Sequence, residues 1–102
     1  MIDLDPEARE EIAEAAEFYE KRRRGLGTGL LAEVDRGIAA IVERPRSFQS
    51  LQDAPAGLVL RCALIERFPF ALVFLELEGG RLRVVAFAHT KRRPSYWLRR
   101  VR

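Results

Sequence analysis

The stretch FPFALVFLELEGGRLRVVAFAH, residues 68–89, decides the fold. Its two apolar runs, 68–77 and 81–89, have strand length and are rich in Val, Leu and Phe. Between them Gly79-Gly80 offers two residues free to take positive φ, so the spacing predicts a β-hairpin with a two-residue turn. Upstream, LVLRCALIE at 58–66 predicts another strand, which makes the set an antiparallel meander. By period-two alternation Arg81, Arg83, Val85, Phe87 and His89 share one face of the last strand. Leu82, Val84, Ala86 and Ala88 share the other, and this wholly apolar set is expected to meet the layer that covers the sheet.

That layer is expected from the first half of the chain. Asp5-Pro6 reads as an N-cap followed by proline at the first helical position. Ala8, Ile12, Ala15/Ala16 and Tyr19 then recur at helical spacing as far as Lys21 or Arg22. Residues 25–29, GLGTG, break the pattern, with Thr28 a cap for a second helix through Leu31, Val34, Ile38 and Ile41 to Arg44-Pro45. Gly37 inside that helix costs about 1 kcal/mol against alanine, which points to close approach to the small Ala15/Ala16 face. Residues 1–4 read as a short strand, 45–57 as a loop, and 94–101 as one or two helical turns starting at Pro94. The expected fold is α+β, one domain over 1–102, with a helical hairpin packed on one face of a small antiparallel sheet.

Composition narrows the class. Apolar residues at 48% and charged residues at 32% describe a folded globular chain rather than a disordered one. Cys62 is the only cysteine, so no internal disulfide forms, and no Cys/His cluster exists to bind zinc. The acidic start MIDLDPEAREE is unlike a signal peptide, and FPFALVFL is too short to span a bilayer. A reduced, cytoplasmic setting without metal, cofactor or membrane partner is expected. The net charge of +3 conceals an asymmetry: residues 1–20 carry eight carboxylates and one cation, whereas residues 89–102 carry six cations and no carboxylate. Two differently charged faces follow, the basic one suited to nucleic acid or an acidic protein.

The candidate site residues lie on and after the last strand, with one exception. Arg61 stands mid-strand among apolar residues, where a guanidinium must be paired (Glu66 and Glu76 are candidates), face water, or grip an anion. His89, the lone histidine, ends the last strand on the face away from the helices or at its edge. Lys91, Arg92, Arg93, Tyr96, Arg99 and Arg100 follow, and Arg83 shares the strand face of His89. Cations interleaved with an aromatic can hold a phosphate backbone. Trp97 and Val101, four apart, are expected to close the core. One histidine without an evident carboxylate partner gives no support to a Ser-His-Asp or two-histidine arrangement.

The chain resembles the RelE/ParE superfamily of toxins from bacterial type II toxin–antitoxin modules. The resemblance rests, in order, on PEAREEIAEAAEFYEKRRRGLGTGLLAEVDRGIAAIVERP, LRCALIERFPFALVFLEL and VVAFAHTKRRPSYWLRR. Its most specific parts are the GLG turn, the R…RFPF strand pair and the closing AHTKRRPSYWLRR, whose wording is similar to ParE and to plasmid-stabilisation proteins.

The resemblance implies the fold argued above and a cognate antitoxin whose flexible segment folds over the toxin. It also implies self-association, as a homodimer, through exposed apolar surface in the uncomplexed form. On the ParE side it implies a non-catalytic poison of DNA gyrase, with Arg61, Arg83, Lys91, Arg92, Arg93, Tyr96, Arg99 and Arg100 facing target or antitoxin. On the RelE side it implies a ribosome-dependent mRNA endoribonuclease. There Arg61 and Arg93 would stabilise the phosphorane, Tyr96 or His89 would move protons, and Lys91 would complete the face. A third reading is a non-toxic binding or autoregulatory relic of the fold.

Overall fold

The computed structural model describes residues 2–52, 54–93 and 95–101. Met1 and Pro94, assigned above to a strand and to a helix start, lie outside the described residues. The chain forms β1 (Ile2–Leu4), α1 (Pro6–Arg22), α2 (Leu26–Glu43), a 3-10 turn (Pro45–Ser47) and β2 (Gln49–Ser50). β3 (Leu60–Leu64), β4 (Phe70–Glu76), β5 (Leu82–His89), α3 (Ser95–Leu98) and a last 3-10 turn (Arg99–Val101) follow. The expected α+β fold is observed.

Both helix starts differ in detail from expectation. Asp5 precedes α1, yet its carboxylate makes no capping bond; it takes the Arg83 guanidinium instead, at 2.8 and 2.9 Å. α2 begins two residues before Thr28. Gly25 makes the turn at φ 92°, and Glu20 of α1 does the capping: its carboxylate accepts the amides of Gly25 (3.0 Å) and Gly27 (2.9 Å). Those amides hold the Glu20 carboxyl below its ordinary value. The close approach between the helices is at Gly27, where a Cβ would stand 2.5 Å from the Ala16 carbonyl oxygen. Gly37 faces the sheet, its missing Cβ making room for Leu72.

The sheet has five strands in the order β1-β5-β4-β3-β2. The antiparallel β3–β4–β5 meander is present, and β1 adds a parallel strand beside β5 over residues 82–84. The hairpin turn is one residue longer than expected: Glu78–Gly80 is closed by the Leu77 amide donating to the Arg81 carbonyl. Gly79 and Gly80 both take positive φ, 75° and 77°, which explains the glycine pair.

A bulge overturns the expected division of β5 into faces. Val73 pairs with Ala86 and Phe74 with Val84, so Val85 is the extra residue. Beyond it the alternation is inverted. Leu82, Val84 and Phe87 pack in the helix-side core with Ile12, Leu30, Leu72 and Phe74. Val85, Ala86 and Ala88 lie in a second core with Leu60, Val73 and Trp97. The sheet is therefore covered on both faces, by the helices on one and by Leu51, Ala54, Leu58 and the C-terminal segment on the other. Trp97 does close a core, on the side away from the helices. No helix among the described residues is long and apolar enough to cross a membrane.

Candidate functional site

The site begins where β1 runs out. Beyond Val84 the outer edge of β5 has no strand beside it among the described residues, and its backbone groups need other partners. Glu11, on α1, accepts the Phe87 amide (3.0 Å), and Arg100 donates to the Val85 carbonyl (2.9 Å). The two side chains also pair with each other through both guanidinium nitrogens, at 3.0 and 3.2 Å. This pair draws the C-terminal segment back across the edge of β5 onto α1 and places Tyr96 there.

A surface cleft of ≈ 310 Å³ opens beside this pair. Glu11, Glu14, Phe18, Phe70, Phe87, His89, Arg92 and Tyr96 line it. The Arg92 guanidinium lies 3.8 Å from the Tyr96 ring centroid, with Arg100 5.3 Å away from the same ring. Burial, then the Glu11 charge and hydrogen bond, push the Tyr96 phenol up to about 12. Near neutral pH Tyr96 therefore offers an O–H donor and no base. His89 meets Phe70 edge-on at 5.2 Å. Its Nδ1 accepts the Lys91 amide at 3.1 Å, which assigns the imidazole hydrogen to Nε2. The inverted alternation after Val85 puts His89 on the helix side at the strand end, not on the far face.

The structure brings His89, Arg92 and Tyr96 together, with Lys91 and Arg93 exposed on the adjoining turn. Other expected site residues have separate engagements. Arg83 is bound to Asp5 and Arg100 to Glu11, so the acidic start and basic end of the chain neutralise one another in part. Arg99 is exposed. Arg61 is half-buried and pairs with neither Glu66 nor Glu76: its Nη1 donates to the Phe48 carbonyl at 2.8 Å, and Glu76 takes Arg46. Arg61 sits opposite Phe74, whereas His89 sits opposite Phe70. Four residues along β4 and two strand spacings put them roughly 16 Å apart.

A second cleft, which sequence reading missed, lies on the other face of the sheet and measures ≈ 340 Å³. Its floor is Cys62, Ala71, Val73 and Ala88, with Trp97 and the exposed Leu64 beside them, and His89 and Arg92 reach its rim. Small residues at 62, 71 and 88 were the available signal, hidden by the bulge. Burial pushes the Cys62 thiol up, so it is a poor nucleophile. Among the described residues no group of three His, Cys, Asp or Glu is placed to hold a metal ion.

No family model and no curated protein matches the sequence. Among solved structures, a chain from "Chromosomal ParDE TA system from P. aeruginosa" matches in shape. It aligns with a TM-score of 0.71 over 88% of this chain and 95% of that one, at 11% sequence identity. The chain has the ParE-like fold. At that identity the match speaks for the fold alone. The ParE-like fold accounts for the helical hairpin, the mixed sheet and the short C-terminal helical turn together.

Proposed function

We propose that this protein is the toxin of a type II toxin–antitoxin module, ParE-like, which acts in the cytoplasm by poisoning DNA gyrase and is neutralised by a cognate antitoxin. The observation that carries this reading is the near full-length match in fold to a chain from a ParDE system. The separation of Arg61 from the His89 cleft supports a binding role over catalysis. An in-line cleavage needs charge stabilisation and proton transfer at one phosphate. Arg61 is held under Phe48, roughly 16 Å from His89; Arg83 is bound to Asp5, and Arg100, although near Tyr96, is paired with Glu11.

The second reading, a ribosome-dependent endoribonuclease, has one observation in its favour: His89, Arg92 and Tyr96 do share a cleft. Induction of the chain without its neighbouring gene separates the readings. Growth arrest that survives His89→Ala and Arg61→Ala supports the binding toxin. Arrest abolished by either change, with folded protein still accumulating, supports the nuclease. No arrest from soluble protein supports the non-toxic relic.

A further inference from the structure

The fold gathers onto one pole three cationic segments that lie far apart in sequence. Residues 21–24, at the end of α1, are all cationic, as are residues 91–93 after β5, and Arg67 stands in the turn between β3 and β4. Contacts place the three segments side by side. Tyr19 meets Phe68 at 5.0 Å, the Thr90 amide donates to the Pro69 carbonyl at 2.9 Å, and the Arg67 guanidinium lies against Gly29. All eight cations are exposed. The carboxylates beside these cations are few, and three are engaged: Glu17 pairs with Lys21, Glu33 lies 3.9 Å from Arg67, and Glu20 is occupied by the Gly25 and Gly27 amides.

Each segment also fixes one arginine on an aromatic ring: Arg22 over Phe18 at 4.7 Å, Arg67 over Phe68 at 5.4 Å, Arg92 over Tyr96 at 3.8 Å. A stacked guanidinium loses less freedom when its N–H edge meets a phosphate. With a cation already on each of these rings, they are not free to stack an unpaired base. We infer that this pole binds the phosphate backbone of duplex nucleic acid, without reading sequence. The inference goes beyond the toxin reading and does not need it, because the test contains no gyrase.

The test is fluorescence anisotropy of the full chain with a short labelled DNA duplex of mixed sequence, repeated as KCl is raised. Each phosphate contact contributes about −0.9 to the slope of log K against log salt. Arg23→Ser/Arg24→Ser and Lys91→Ser/Arg93→Ser should each flatten the slope by about 2 and weaken binding about tenfold or more. Arg44→Ser/Arg81→Ser removes the same charge at the opposite end of the molecule and should change neither. All six positions are exposed, and unchanged thermal midpoints will confirm intact folding. Equal losses from the control variant overturn the inference, since attraction would then be diffuse. So does tighter binding of single strands, or of polyglutamate or anionic vesicles, any of which makes the pole a surface for a different partner.

Discussion

Glu11 and Arg100 together make the hydrogen bonds of a missing strand. One accepts the Phe87 amide, the other donates to the Val85 carbonyl, and each holds its partner in place. The pair also ties the C-terminal segment to α1, so the position of Tyr96 and Arg92 depends on it.

Removing one partner leaves the other partly buried without its counter-charge and leaves a backbone group unsatisfied. Glu11→Leu should therefore cost about 2–3 kcal/mol. For a domain of this size each kcal/mol lowers the thermal midpoint by about 4–8 °C. The double variant with Arg100→Leu should cost less than the sum of the singles by about 1 kcal/mol or more. Calorimetry on the four proteins checks the cycle. Trp97 is the only tryptophan and is buried, so its emission should shift to the red if the segment loosens.

Two glycines of α2 should respond oppositely to alanine. At Gly27 a Cβ would meet the Ala16 carbonyl at 2.5 Å, a backbone atom that cannot step aside, so Gly27→Ala should destabilise by about 1–3 kcal/mol. At Gly29 the nearest neighbour is the movable Arg67 guanidinium at 3.5 Å. Gly29→Ala should then gain most of the helix-propensity difference, up to about 1 kcal/mol. Urea unfolding of both variants reads the two signs.

Tyr96 predicts an alkaline limit. Its phenol is raised from 10.0 to about 12, chiefly by burial. The folded state thus holds the proton more tightly than the unfolded chain. The associated stability is fully present below pH 10 and is lost as pH rises from there through about 12. Ultraviolet titration of a Tyr19→Phe variant isolates this group, and tyrosinate should appear with a midpoint well above 10. Glu11→Gln, which removes the nearby negative charge, should move that midpoint down.

How much of this was legible in the sequence varies by element. The extent of α1, the meander and the glycine pair at 79–80 were readable because each leaves a local signature of spacing or turn chemistry. The bulge at Val85 was not. VVAFA is apolar on both sides of the strand, so inverting the alternation leaves the hydrophobic pattern unchanged. The continuous apolar run from Ala71 to Leu75 did carry a hint of burial on both faces. The parallel pairing of β1 and the Glu11–Arg100 bond join residues nearly a whole chain length apart, where periodicity has no reach. For the site, the turn after β5 was legible as a basic, aromatic cluster. That Arg83 and Arg100 spend their charge on Asp5 and Glu11 required the fold.

The central claim is that the chain acts on gyrase through binding rather than by cutting RNA. Its most direct test mixes purified protein with gyrase, ATP and supercoiled plasmid, then looks for linear DNA after detergent and protease. The account predicts dose-dependent linear product, retained by Arg61→Ala and His89→Ala and suppressed by the antitoxin. Absence of linear product from folded protein that still arrests growth would contradict it and move the target to the ribosome.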